Sequence, residues 1–463
     1  MATKQSASAS DAAAISRQSQ PSPNDTKSNI AAKAAVLSGV FWGLGQLFNR
    51  QYVKGILLML LEAVGLIYLI NYLPRAVWGI YTLGETPSQM MKVGKLYKMV
   101  PGDHSIHLII KGLITLLVLF IFVWVYVLVV RDAHAVGRIR TKGDKPNNFL
   151  QTLEYIKEQK FAYLFLALPT AAVLFFTIMP IIFMILLAFT NYSAPEHIPP
   201  AKLVDWVGFQ NFKDLLQLGT WSGTFYGVLA WTIIWAVLAT VTCYFGGILV
   251  ALLVQQSGIR LKTMWRTIFI IPYAIPQMLS FLIMRNMFNG EFGPINQYLS
   301  YFGLGKLPWL SDPFWAKVTV LMVNMWVGIP VTMVLVIGIL TTIPKDMYEA
   351  ADVDGATAWH KFRAITMPMI TYSTAPILIG QFAGNINNFN VIFLMTNGNP
   401  PNGEYQYAGS TDLLVTWLYK LTLDNNKFNM AAAIGIIIFI IVASLSIWSY
   451  RRTRSFREED MIQ

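Results

Sequence analysis

Eight long apolar runs separated by polar links follow one another along the chain after residue 54. Each run is close to the ~20 residues that a helix needs to cross a bilayer, so we predict one transmembrane helix in each. They are Gly55–Leu73, Leu108–Val130, Phe161–Phe189, Tyr226–Val254, Thr267–Phe288, Ala316–Leu340, Met369–Met395 and Ala431–Tyr450. A shorter run, Ala31–Phe48, is broken by glycines, and we predict an interfacial or re-entrant segment there. The pattern therefore predicts an all-α membrane protein with about eight spans.

Basic residues mark every second link between these runs. Clusters of lysine and arginine occur in four segments: residues 131–160, the link that contains residue 260, the link that contains residue 361, and the residues after Tyr450. Because basic loops remain on the cytoplasmic side of a membrane, these segments are predicted to be cytoplasmic. Six spans after Lys160 return the chain to the same side, and two earlier spans place the N-terminus there as well. We expect a multi-pass protein of the cell membrane with both termini in the cytoplasm.

Composition supports the membrane assignment. The chain has 463 residues, of which 55% are hydrophobic and 13% charged, whereas a soluble domain carries about a quarter charged residues. The net charge of +11 comes from residues scattered between apolar runs, so the cytoplasmic placement of basic loops explains it better than a nucleic-acid partner. Membrane lipid is the expected surrounding of the spans. The single cysteine, Cys243, lies within an apolar run and excludes an intrachain disulfide.

The polar links divide the chain into five predicted regions. Residues 1–28 are rich in serine and alanine and lack the layout of a signal peptide, so they are predicted to be disordered. The regions are a disordered cytoplasmic tail over 1–34, an N-terminal membrane region over 35–131, a basic link over 132–160, a six-helix core over 161–452, and a cytoplasmic tail over 453–463.

The chain lacks the motifs of a nucleotide-hydrolysing enzyme or a metalloprotein. No stretch matches the phosphate-binding pattern GxxxxGK followed by Ser or Thr. The five histidines are spread over different links, so the sequence predicts no metal site and no cofactor. A transporter with this sequence would need a separate ATPase subunit.

Three consecutive predicted spans carry amides, aromatic rings and helix breakers in place of charge. The residues are Pro272, Tyr273, Pro276, Gln277 and Ser280, then Asn324, Trp326, Gly328 and Pro330, then Gln381, Asn385, Asn387, Asn388 and Asn390. Amides both donate to and accept from hydroxyls, and aromatic faces cover the apolar face of a sugar ring. An ionic substrate would require a counter-charge, so the pattern favours a neutral polyhydroxylated solute. The alternative is that these amides only join neighbouring helices.

One polar stretch, residues 344–366, lies between two predicted spans and has the features of a docking element. Lys345–Asp354 is predicted to be helical and to end at Gly355 in the left-handed conformation, and Thr357 to cap a second short helix. The order of its residues resembles the EAA loop of ABC-importer permeases. That resemblance implies a cytoplasmic loop that docks on an ATPase subunit, with the coupling role carried by Glu349, Ala350, Ala351, Asp354 and Gly355. We call residues 344–366 the coupling loop.

Further segments resemble the larger membrane subunit of maltose and maltodextrin importers. They are Ala188–Ser193, Leu253–Gln255, Ile271–Pro276, Ser311–Pro313, Asn387–Phe389, Thr396–Gly398 and Ser410–Val415. The resemblance implies the core of a type I ABC importer permease and a heterodimer with a second permease. It also implies two copies of an ATPase and an extracellular solute-binding protein. It places a mid-membrane sugar site at Tyr273, Gln277, Asn324, Gly328, Asn385 and Asn388.

The sequence thus predicts a permease subunit that moves maltose or maltodextrin by alternating access and has no catalytic residues of its own. An importer for another neutral sugar or a polyol is the nearest alternative. An ion-coupled secondary transporter would need buried carboxylates in its core spans. The only acidic residue in a predicted span is Glu62, which lies before the core. A membrane enzyme or sensor scaffold is the most distant alternative.

Overall fold

The protein is described by a computed structural model that covers residues 23–93, 96–199, 202–256 and 258–452. The chain forms two compact units. The first comprises Met1–Met184 with Pro200–Val204, and the second comprises Ile185–Pro199 with Asp205–Gln463.

Helices predominate in the first unit. They are α1 (Pro23–Val40), α2 (Leu44–Phe48), α3 (Tyr52–Thr82), α4 (Ser105–Thr141), α5 (Phe149–Gln159), α6 (Phe161–Val173), a π-helical turn over Leu174–Ile178, and α7 (Met179–Leu187), whose last residues belong to the second unit. Strands β1 (Gln89–Val93) and β2 (Leu96–Val100) pair antiparallel between α3 and α4. These strands were not predicted from the sequence, because two five-residue segments are short beside the long apolar runs.

The N-terminal segment folds against α4 as a helix that bends at Gly43. Residues 1–22 of the predicted disordered tail lie outside the described residues, but residues 23–34 are helical, and there the prediction was wrong. Alanine favours a helix, and Ala34 is fully buried. Gly137 of α4 allows the close approach, because a side chain there would meet the Ala31 backbone at 2.7 Å.

Polar contacts hold α2 on α4. Gln46 donates to the Val129 carbonyl at 3.1 Å and to Asp132 at 3.0 Å, and Asn49 donates to the Ala133 carbonyl at 2.9 Å. Lys54 at the start of α3 pairs with Asp132 at 2.7 Å. Neither α1 nor α2 has the length and composition of a membrane-crossing helix.

The second unit is also helical. Its elements are α8 (Gln210–Gln217), α9 (Gly219–Gln255), α10 (Lys262–Ala274), α11 (Gln277–Met287), α12 (Pro294–Tyr301), α13 (Pro313–Thr342), α14 (Lys345–Val353), α15 (Ala358–Lys361), a π-helical turn over Phe362–Thr366, α16 (Met367–Ile386), α17 (Phe389–Met395), α18 (Leu414–Tyr419), a π-helical turn over Lys420–Asp424, and α19 (Phe428–Arg452).

Seven helical runs within the described residues are long and apolar enough to cross a membrane. They are Tyr52–Thr82, Ser105–Thr141, Phe161–Leu187, Gly219–Gln255, Pro313–Thr342, Ala358–Met395 and Phe428–Arg451. The bent pair α10 and α11 makes an eighth if it is counted as one span. The predicted all-α architecture of about eight spans is therefore confirmed. The first predicted span was too short, because α3 continues through Pro74 to Thr82.

Helix α9 is the central element of the second unit. Its Trp235 and Ala239 belong to one buried apolar cluster, which also contains residues of α11, α13 and α17. Its Tyr244 and Ile248 belong to a second cluster with residues of α13 and α16. Small residues let α9 and α13 approach closely, since a side chain at Gly247 would meet Thr332 at 2.4 Å. Such packing is what holds helices together where lipid is as apolar as the side chains.

Candidate functional site

The predicted span over Thr267–Phe288 is not a continuous helix. Helices α10 and α11 meet at an angle of 93°, with Ile275 and Pro276 at the break. Pro276 lacks an N–H and cannot continue the hydrogen-bond pattern of α10, which explains the position of the break. Tyr273 and Gln277 flank it with exposed side chains, Tyr273 at 63% of its full accessibility.

Three of the predicted site amides lie together against α9, and we call Asn324, Asn385 and Asn388 the amide cluster. Asn388, at the start of α17, donates to the Asn324 side chain of α13 at 3.1 Å. Asn385, in the last turn of α16, donates to the Thr240 hydroxyl of α9 at 3.0 Å. The backbone of α16 and α17 is interrupted between Ile386 and Phe389. The amides therefore connect helices, as the alternative interpretation expected.

These interhelical bonds leave part of each amide available to a ligand. Asn385 and Asn388 are half-buried, and within the described residues neither side-chain carbonyl accepts a hydrogen bond. Each amide nitrogen also retains a second N–H. No hydrogen bond or ion pair joins a charged side chain to the amide cluster in the described part of the chain. The cluster can thus hold hydroxyl groups with oriented, uncharged donors and acceptors.

The structure separates five of the six predicted site residues into two groups. Asn324, Asn385 and Asn388 form the amide cluster, whereas Tyr273 and Gln277 make no hydrogen bond to it among the described residues. Three residues of α9 that contact the cluster were not predicted from the sequence. The Thr240 hydroxyl accepts from Asn385 at 3.0 Å, the Trp235 indole donates to the Asn385 backbone carbonyl at 3.1 Å, and the Cys243 sulfur accepts from Asn324 at 3.6 Å. Each of these residues has only one polar side-chain atom and lies in an apolar run, so the sequence does not mark it as a site residue. Only their spacing along one helix relates them.

Gly328, the sixth predicted residue, lies where α13 contacts α9. A side chain at this position would meet the Cys243 sulfur at 2.4 Å. The structure thus gives this glycine a packing contact one turn after Asn324, which sets how closely the two helices approach beside the amide cluster.

We expect Gly328→Ala to destabilise the protein by about 1–3 kcal/mol, because an added methyl group overfills a close helix contact. The measurement is the apparent melting temperature of the detergent-purified protein. The double variant Gly328→Ala/Cys243→Ala should recover part of the loss, since the nearest remaining atom, the Cys243 Cβ, lies at 3.2 Å. Equal melting of Gly328→Ala and the parent protein would contradict this role.

The coupling loop has the predicted architecture. Helix α14 ends at Val353, and Gly355 follows with φ of 73°, in the left-handed region. The Thr357 side chain accepts the His360 N–H and caps α15. Tyr348 and Thr366 share a hydrogen bond of 2.9 Å, and Lys361 pairs with Asp352 at 2.6 Å. The loop is therefore held by its own contacts before any partner binds.

The surface of the coupling loop exposes apolar side chains. Val353 is 88% exposed, Trp359 66% and Met347 42%. Ala350 and Asp354, two of the predicted coupling residues, are also exposed. Exposed valine and tryptophan beside alanines on a prefolded loop are typical of a surface that a partner protein covers.

Comparison with known proteins agrees with these features. Residues 244–455 match the family model of the binding-protein-dependent transport system inner membrane component. The galactooligosaccharides transport system permease protein GanP of Bacillus subtilis is 38% identical over 428 residues, which cover 92% of this chain and 99% of GanP. The maltodextrin transport system permease protein MalC of Streptococcus pneumoniae is 37% identical over 440 residues, covering 93% of this chain and 98% of MalC.

A solved structure has the same fold. A chain of a bacterial ABC transporter involved in the import of the acidic polysaccharide alginate superposes with a TM-score of 0.54 at 22% identity. The match covers 66% of this chain and 98% of that one.

Proposed function

The chain belongs to the family of binding-protein-dependent transport system inner membrane components, as a multi-pass membrane subunit of an ABC sugar importer, and we propose that its cargo is maltose or maltodextrin. It carries no nucleotide-binding motif, and ATP hydrolysis is done by a separate subunit. Relatives that cover nearly the whole chain are named for transport of galactooligosaccharides and of maltodextrin. Both cargoes are oligosaccharides rich in hydroxyl groups.

The amide cluster is the observation that supports a neutral cargo. Asn385 and Asn388 each present a free carbonyl oxygen and an N–H at an interruption between two helices. Such groups bind hydroxyls without selecting charge. Tyr273 and Gln277 complete the proposed site from the break between α10 and α11, where Tyr273 supplies an aromatic face for a sugar ring.

We propose that the importer contains a second permease, two copies of an ATPase and an extracellular solute-binding protein. The ATPase docks on the coupling loop, in which Glu349 makes no hydrogen bond or ion pair within the described part of the chain and is available to a partner. Movement of the ATPase is transmitted through α14 and α15. The helices around the amide cluster then expose the sugar to one side of the membrane and afterwards to the other.

Helix α13 relates the two links at its ends. Asp312 caps the start of α13 and the coupling loop follows its end. The 30 residues of α13 span about 45 Å, enough to cross the bilayer. The link over residues 289–312 therefore lies on the opposite side from the coupling loop. We propose that this link is extracellular and that the coupling loop and both termini are cytoplasmic.

The test is sugar-stimulated ATPase activity of the complete importer in liposomes. We expect maltodextrins, delivered by the binding protein, to raise ATP hydrolysis and to accumulate inside, whereas charged oligosaccharides should not. Galactooligosaccharides form the comparison arm, because the relative named for their transport covers 92% of the chain. Stimulation by galactooligosaccharides alone would keep the mechanism and replace the cargo.

The same liposomes distinguish ATP-driven transport from an ion-coupled transporter. Uptake without the ATPase subunit, driven by a proton or sodium gradient, would contradict the proposal. The spans of the second unit contain no Asp or Glu. Glu62 of α3, in the first unit, accepts the backbone N–H of Trp42 and so already has a structural partner.

A further inference from the structure

A polar cavity lies in the second unit, and none of the amide cluster residues lines it. It has a volume of about 480 Å³, within the range of about 300–1,000 Å³ that is usual for small-molecule sites. Its polar lining comes from Arg285, Asn286, Asn289, Thr396 and Asn399, and leucine and methionine side chains complete the wall. We call it the Arg285 cavity.

The Arg285 cavity lies at the C-terminal ends of α11 and α17, and the amide cluster lies at the other end of α17. Helix α11 begins at Gln277, beside the break, and carries Arg285 in its last turn. Helix α17 begins directly after Asn388 and ends at Met395, next to Thr396. Eight residues along either helix correspond to about 12 Å. This separation is within the length of a chain of several sugar rings.

The walls of the cavity are built by buried contacts. Asn296 is fully buried and fixes the link that carries Asn289, because it donates to the Gly290 and Leu307 carbonyls at 2.7 and 2.9 Å. It also accepts the Trp309 indole N–H at 2.9 Å. Asn289 itself accepts the N–H groups of the two residues that follow Gly290, at 3.0 and 2.9 Å, which leaves its amide N–H groups for the cavity.

The opposite wall is equally fixed. The buried hydroxyls of Thr396 and Thr411 share a hydrogen bond of 2.8 Å, and Thr411 also donates to the Asn399 carbonyl at 2.8 Å. Asp412 accepts the Gly409 N–H at 2.7 Å and packs against Gly398. Asn399 is thus held in place while its exposed side chain remains without a hydrogen bond in the described part of the chain.

The lining of the cavity can bind hydroxyl groups. Arg285 forms no ion pair among the described residues, and the cavity lining contains no acidic residue. The guanidinium offers five N–H donors, and the asparagine amides add donors and acceptors. Apolar side chains beside them suit the carbon face of a sugar ring.

We propose that the Arg285 cavity is a second carbohydrate subsite, which holds one end of an oligosaccharide while the other end reaches the amide cluster. This proposal rests on the proposed function, because it assumes that the amide cluster binds a neutral oligosaccharide. It predicts that long oligosaccharides gain affinity from Arg285 and that disaccharides gain little.

The test is protection of single cysteines from a small thiol reagent. The complete importer, with its binding protein and a nonhydrolysable ATP analogue, is studied in nanodiscs. Asn286→Cys reports on the Arg285 cavity and Asn387→Cys reports on the amide cluster. Ser300→Cys, exposed on α12 and outside the cavity, is the control. The chain's own Cys243 is buried, so the unsubstituted protein gives the background.

Maltohexaose at about ten times its half-saturating concentration should slow labelling of Asn286→Cys and Asn387→Cys about tenfold. Labelling of Ser300→Cys should not change. Adding Arg285→Gln should abolish protection of Asn286→Cys and preserve protection of Asn387→Cys by maltose. Protection of Asn387→Cys alone in the parent background would overturn the second subsite and leave the proposed function standing. Protection of neither position by any neutral sugar would overturn both.

Discussion

Replacing Gly355 with alanine should uncouple ATP hydrolysis from sugar uptake while the protein still inserts into the membrane. Gly355 has φ of 73°, and no atom lies within 4 Å of the position that an alanine Cβ would occupy. The effect therefore comes only from backbone conformation, for which the left-handed region costs an L-residue about 1–2 kcal/mol. That penalty corresponds to a factor of about 5–30 in the population of the native turn. We expect uptake per ATP hydrolysed in liposomes to fall by a similar factor.

Gly355→Asn is the matched control, because asparagine tolerates the left-handed conformation. It should retain most of the coupling, whereas an effect of side-chain volume would impair both variants equally. The Tyr348–Thr366 hydrogen bond lies elsewhere in the coupling loop and should persist in both. Normal uptake by Gly355→Ala would show that the turn between α14 and α15 does not transmit the motion.

Replacing Asp412 with alanine should cause the largest loss of stability among the changes considered. Asp412 is fully buried and pairs with Lys420 at 2.7 Å, and it also accepts hydrogen bonds from Gly409 and Thr416. Burial raises the pKa of the Asp412 carboxyl, although the Lys420 ammonium and the Gly409 N–H act in the opposite direction. Removing one member of a buried pair leaves the other charge uncompensated, which costs about 3–5 kcal/mol. The measurement is the melting temperature of the detergent-purified protein.

The double variant Asp412→Asn/Lys420→Met separates the charge from the packing. It removes both charges and retains a side-chain oxygen that accepts from Thr416. Since buried ion pairs are often replaceable by uncharged groups of similar size, we expect it to melt closer to the parent protein than Asp412→Ala does. An Asp412→Ala variant that melts like the parent would show that the loop carrying Thr396 and Asn399 does not depend on this pair.

Hydrophobic patterning alone determined the membrane architecture. Runs of about 20 apolar residues can satisfy their backbone groups in lipid only as helices, so eight spans followed from length and composition. The coupling loop was equally predictable, because its features are local: Gly355 ends a helix and Thr357 caps the next. Such turns depend on backbone conformation and on hydrogen bonds a few residues apart.

The tertiary structure decided what the polar residues in the spans contact. Asn385, Asn388 and Gly328 were all predicted from the sequence to contact the sugar. Only the packing of the helices on α9 distinguishes the two amides, whose side-chain carbonyls accept no hydrogen bond among the described residues, from a glycine that fits against Cys243. The Arg285 cavity likewise joins residues more than a hundred positions apart. A one-dimensional pattern records which residues are polar, whereas contacts between distant helices depend on how closely their backbones approach.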